Sequence, residues 1–157
     1  MEKSEGNYLL FKLEDRQFAI PVVEVNMVVA AVAITDLPQA PEIVLGIINV
    51  HGDAVPVINI RPRIGLEPKE LELSDKYIIA EIANRKIALL VDSISTLIEI
   101  DSKKIVQMES LVPGSKFIDG TAEINNDLIL LLNLENFLSI EDNLQLNSSL
   151  EKSIGLV

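Results

Sequence analysis

Hydrophobic and polar positions alternate in short runs along most of the chain. Leu9, Phe11 and Leu13 alternate with Leu10 and Lys12, Glu14-Asp15-Arg16 breaks the run, and Phe18, Ile20 and Val22 resume it. A period of two across a polar break predicts a β-hairpin. A second hairpin follows the same rule: Ile78, Ala80 and Ile82 lead into Asn84-Arg85, and Ile87, Leu89 and Val91 return. Asn84 suits the turn because its short polar side chain tolerates a positive φ. Between the hairpins, Ile47–Val50 runs into His51-Gly52-Asp53, read as a tight turn, and Val55, Val57 and Asn59 share one face of the next strand. Pro56 has no N–H to give a ladder, which predicts an edge or a bulge there. Helical spacing enters late, at Leu134, Phe137 and Leu138 behind Asn133 as N-cap, with Ser139 and Asp142 spaced like a capping box. The Asn- and Ser-rich text that follows predicts a frayed tail over 145–157. Glu67 to Ser74, with Pro68 and alternating Glu and Leu, reads as an acidic connector and the least ordered stretch.

The units recur. Phe18-Ala19-Ile20 matches Ile87-Ala88-Leu89 at an offset of 69 residues. Val44, Gly46, Val57 and Asn59 match Ile118, Gly120, Leu131 and Asn133 at an offset of 74. Two anchored matches in the same order predict a duplicated unit: a hairpin, a connection, a glycine, then a hairpin ending in apolar-Asn-apolar. Two lobes of about 70 residues are marginal alone and are expected to pack as one domain over 7–144, dividing near 67–76. Short antiparallel strands in each lobe point to a small barrel.

Composition narrows what such a fold can do. The 157 residues fit one domain, and 48% apolar content is enough to bury a core. A formal net charge of −11 disfavours nucleic acid and anionic membrane surfaces. The first residues are acidic rather than basic, and the longest apolar window, Met27 to Ile34, is too short to span a bilayer. A cytoplasmic protein without direct membrane insertion is therefore expected. Cysteine is absent and His51 is the one histidine, so thiolate chemistry and histidine-pair metal sites are excluded. No phosphate-binding loop, dinucleotide fingerprint or nucleophile elbow occurs. No catalytic, cofactor or metal residues are expected, and His51 reads better as an exposed turn contact than as a base. Asp92 follows the apolar run Ala88–Val91 and opens Ser93-Ile94-Ser95, a place suited to capping a helical turn. The close-set Val22, Val23, Val25, Met27, Val28 and Val29 predict core that partly reaches the surface. With 4% aromatics and no Trp, any partner interface has to be aliphatic and shallow.

Several strings together resemble the CheW-like family of chemotaxis coupling proteins. They are Phe11-Lys12-Leu13, Phe18-Ala19-Ile20, the stretch Gly46 to Gly52 containing Asn49 and His51, Val55 to Arg61, and Ala88 to Asp92. The most specific is Gly46-x-x-Asn49-x-x-Gly52, followed by Pro56 and Arg61. The resemblance implies a mainly β fold of two pseudo-symmetric five-stranded, SH3-like β-barrels with a groove between them, short helices and a C-terminal helix. It implies a non-enzymatic adaptor, monomeric on its own, that joins the cytoplasmic tip of a chemoreceptor to the regulatory domain of a histidine kinase. Such a protein is recruited to receptor arrays at the membrane. The alternative is a kinase-binding scaffold of another two-component pathway, such as pilus motility or development. By resemblance, partner contacts fall at Val25, Met27 and Val29, at Gly46, Asn49, His51 and Gly52, and at Arg61. Two positions depart from the pattern: His51 stands where the family commonly has Arg, and Met27 where it often has Glu.

Overall fold

The computed structural model describes residues 6–108, 116–138 and 140–153. Its strands in chain order are β1 (Asn7–Leu13), β2 (Arg16–Pro21), β3 (Val25–Ala30), β4 (Val44–Val50), β5 (Asp53–Ile58), β6 (Lys76–Ile82), β7 (Arg85–Val91), β8 (Ser93–Glu99), β9 (Val106–Gln107), β10 (Ile118–Ile124) and β11 (Asp127–Leu132). Helix α1 (Ile140–Ser153) follows. One sheet has the order β8-β1-β2-β11-β10-β9 and the other β3-β6-β7-β5-β4. The fold is mostly β, with two packed sheets and one C-terminal helix, as expected. The six-against-five count is a matter of length: the place of the two-residue β9 is taken in the second sheet by a single bridge, Thr35 to Ile47.

Strand registers reproduce the duplication. In the antiparallel hairpins Leu10 pairs with Ala19 and Ile79 with Ala88, both partners 69 residues apart. In the parallel ladders Ala19 pairs with Leu131 and Ala88 with Val57. Asn59 donates its N–H to the Ile43 carbonyl, and Asn133 to the Phe117 carbonyl, each at 2.8 Å. Ladders break at the same places, beside Gly46 and Gly120 and again within β3 and β8.

The sheets do not divide the chain near 67–76. The hairpin β1–β2 lies beside β8 to β11, while β6–β7 completes the sheet begun by β3, β4 and β5. The chain changes sheet through the single 3-10 turn Val22–Glu24 and returns through Asp92, between β7 and β8. Each hairpin therefore closes the sheet of the other half. Parallel pairing demands this kind of long crossover, whereas a hairpin needs only its own turn.

Fully buried Phe11, Leu13, Phe18, Ile20, Ile58, Ile78, Leu89 and Phe137 share one cluster across both sheets. Each contributes on the order of 1.5–3 kcal/mol by leaving water. Smaller clusters fill the two barrel interiors, one around Val57, Tyr77 and Ile79, the other around Ala19, Ile100 and Ile129.

Local expectations changed at four places. The segment after Asn133 is a 3-10 turn, Leu134–Asn136, and the Asn133 side chain bonds Asp119 instead of capping. Ser139 lies outside the described residues. The expected frayed tail is instead helical through Ser153, because buried Leu146 and the Ser149 hydroxyl, donating to the Gln39 carbonyl at 2.8 Å, dock α1; its last part, 154–157, lies outside the described residues. The acidic connector is pinned: Asp75 is buried, accepts the Glu72 N–H at 2.8 Å and pairs with Lys69 at 3.0 Å. Pro56 sits in an interior strand, but the ladder to β7 starts only at Val57, so its missing N–H costs no bond there.

Candidate functional site

Arg61 leaves the end of β5 and is buried, with a 7% exposed side chain. Its guanidinium donates to Glu14 Oε2 at 2.7 Å, to Asp92 Oδ1 at 2.8 Å and to the Glu67 carbonyl at 3.1 Å. Burial by itself would lower its pKa, but the hydrogen bonds with Glu14 and Asp92 outweigh that and hold it above its ordinary value. Asp92 caps no helix, since β8 follows it directly. Its second oxygen accepts the Glu14 N–H at 2.7 Å, and its own N–H bonds the Lys12 carbonyl at 3.0 Å. The carboxylate therefore holds the β1–β2 turn, where Glu14 has φ 59°, and Arg61 ties that turn to the other sheet. Arg61, expected at a partner surface, faces inward instead. The sequence could not show this, because its partners lie 47 and 31 residues away.

The Asn49–Gly52 turn is on the surface. His51 and Gly52 have φ 53° and 92°, the pattern of a type I′ hairpin turn. The Asn49 side chain accepts the Gly52 N–H at 3.0 Å, which fixes the turn and leaves the exposed His51 imidazole at its tip. Gly46 is buried rather than presented. A Cβ there would lie 2.4 Å from the Thr35 carbonyl oxygen, and at Gly120 it would lie 2.6 Å from that of Val106. These glycines let a neighbouring strand cross close to the sheet.

The apolar run divides by side. Met27 and Val29 are half-buried against the barrel cluster that also holds Ile48 and Val50, and Val25 packs on the main core. The strand segment and the glycine-bearing strand thus meet through the barrel interior. What reaches solvent is Val28, 40% exposed, and Val23, 70% exposed on the 3-10 turn. β3 is an edge of its sheet and β8 an edge of the other. On β8, Leu97 takes the register place of Val28, each paired opposite Leu9 or Ile78, and is 64% exposed. The 3-10 turn Val22–Glu24 touches both β1 and β6, the strands next to β8 and β3 in their sheets. Sequence reasoning missed Leu97 and Val28 as a pair, although the offset of 69 residues relates them too.

Among the described residues, no three His, Asp or Glu side chains gather as metal ligands, and no helix is long and apolar enough to cross a membrane. The family model described as the CheW-like domain matches residues 7–142. The chain belongs to the CheW-like domain family. Among relatives of this CheW-like chain, the chemotaxis protein CheW of Rhizobium meliloti (strain 1021) is 25% identical over 136 residues, covering 85% of this chain and 88% of its own. That of Helicobacter pylori is 24% identical over 132 residues, covering 83% and 80%. The crystal structure of the scaffolding protein TtCheW from Thermoanaerobacter tengcongensis superposes with a TM-score of 0.80 at 27% identity, over 88% of this chain and 95% of that one. The two β lobes of the CheW-like fold are thus present with their order intact.

Proposed function

We propose that this protein is a non-enzymatic adaptor that couples the cytoplasmic tip of a chemoreceptor to the regulatory domain of a histidine kinase. The observation that carries the reading is the match of nearly the whole fold to a solved scaffolding protein of the family. Geometry supports it at the edges of the sheets. The edge strands β3 and β8 each expose an aliphatic side chain, Val28 and Leu97, of the kind that suits the apolar stripe of a helical hairpin. Val25, Met27 and Val29 act mainly by shaping β3 from inside, and Asn49, His51 and Gly52 present the second contact at the turn. Recruitment to receptor arrays at the membrane follows from these contacts and needs no insertion into the bilayer.

His51 and Met27, in place of a cation and an anion common in the family, favour a receptor–kinase set of altered charge pattern. A scaffold role in pilus motility or development is the alternative this would suit. Binding of the receptor tip and of the kinase regulatory domain, each measured separately by calorimetry, tests the reading. Coupling requires both to bind, with Val28→Asp and Leu97→Asp weakening the receptor tip at least tenfold while the melting temperature holds within a few degrees. Binding of the kinase domain alone would make the protein a kinase scaffold, and binding of neither would refute the proposal.

A further inference from the structure

The junction that Arg61 closes has a counterpart in the duplicated unit. The registers set Glu14 against Ala83, Arg16 against Arg85 and Arg61 against Glu135. At the first junction a buried cation fills the space and pairs with the turn carboxylate. At the second, the turn offers Ala83, and the exposed Glu135 makes no ion pair among the described residues although it lines the same space. A cleft of about 680 Å³ opens there to solvent, between β5, the β6–β7 turn and α1. Its size is in the range of ligand-binding pockets, roughly 300–1,000 Å³. Pro56, Ile87 and Leu138 supply apolar wall, and Asn84 and Asn147 supply side-chain amides.

Arg85 lines this cleft and is half-buried. Among the described residues its guanidinium bonds only the Asn147 side-chain oxygen, and no carboxylate comes within 4.0 Å. Burial lowers its pKa, the mark of a cation that has lost water without gaining a counter-ion. Lys86, on the rim, is shared with the exposed Asp53 at 3.2 Å. Glu135 lines the same cleft but makes no ion pair with Arg85 among the described residues, so the half-buried guanidinium keeps donors for an external carboxylate. A planar guanidinium takes a carboxylate with two parallel hydrogen bonds.

We propose that the cleft binds an extended acidic segment of a partner protein, with one Asp or Glu carboxylate on Arg85 and flanking apolar side chains over Pro56, Ile87 and Leu138. An open trough with both wall types and two side-chain amides fits a peptide main chain better than a closed pocket would. The site lies at the α1 side of the molecule and does not depend on the β3 and β8 edges. The test titrates the full, isotope-labelled chain with the blocked pentapeptide Leu-Glu-Leu-Glu-Leu, with its Gln counterpart and with glutarate, following backbone amide shifts. The expected result is shifts confined to residues 82–87 and 143–147 and at least tenfold weaker binding of the Gln peptide. Arg85→Gln should abolish that preference. Asn147→Asp, which supplies the missing carboxylate internally, should block the peptide while leaving the melting temperature unchanged or higher. No shifts at millimolar peptide, equal binding of Glu and Gln peptides, or glutarate binding as tightly as the peptide would each overturn the proposal.

Discussion

Replacing Arg61 by Met removes the guanidinium and keeps most of its apolar stem, so it isolates the charge network. Three hydrogen bonds are lost. The one to Asp92, at 2.8 Å with a 27% exposed partner, is worth about 2 kcal/mol, as a bond to a charged group. The one to Glu14 is shorter, but Glu14 is 50% exposed and regains water, so about 1 kcal/mol applies. The bond to the Glu67 carbonyl adds about 1 kcal/mol. Relief of the buried guanidinium's own desolvation offsets part of this, leaving a net loss of about 2–3 kcal/mol. At about 2–4 °C per kcal/mol for a chain of this size, the melting temperature should fall by about 4–12 °C. Urea denaturation with an unchanged slope measures the loss. A double-mutant cycle with Asp92→Asn should return a coupling of about 1 kcal/mol or more, since the two side chains touch. A loss below about 0.5 kcal/mol would refute the role of the network in holding the sheets together. So would a fall in kinase-domain binding with stability unchanged, which would return Arg61 to the partner surface.

Gly46→Ala and Gly120→Ala should each destabilise by about 1–3 kcal/mol, because the added methyl meets the Thr35 or Val106 backbone, with the β-branched Ile34 or Ile105 side chain close beside it; thermal melts of the two variants check it. Tyr77 is fully buried, donates to the Val32 carbonyl at 2.7 Å, and has its pKa raised by burial first and by Asp75 second. Its folded pKa lies above the unfolded 10.0, so its stabilisation is complete below that pH and is lost as pH rises through the folded value. Tyr77→Phe should cost about 1 kcal/mol at pH 8 and flatten that alkaline loss in urea melts taken across the same range; an unchanged alkaline slope would contradict it. His51→Arg should tighten binding to an acidic partner surface less than about tenfold at pH 7.5, as expected of a rim charge, with stability unaltered. Equal affinities for the wild type, Arg and Ala forms in calorimetry would make the turn purely structural.

What the sequence determined by itself is local or periodic. Alternation placed the two leading hairpins, because side-chain direction in a strand depends only on neighbouring residues. Asn84 and Gly52 marked their turns through the φ values they tolerate, and the offsets of 69 and 74 residues declared the duplication. The string from Gly46 to Arg61 carried the family. Tertiary structure alone decided which strands close which sheet. Phe18-Ala19-Ile20 and Ile87-Ala88-Leu89 have the same buried pattern, so either could pair with β5 or β11, and only the packing of both sheets selects the exchange. The same holds for Arg61 and Asp92, whose roles rest on partners far along the chain, and for α1. Its Asn- and Ser-rich sequence has weak helix propensity, and docking of Leu146 and Ser149 overrides it. The setting of Arg85 is likewise a property of space, since its neighbour Asn147 on α1 lies 62 residues away along the chain.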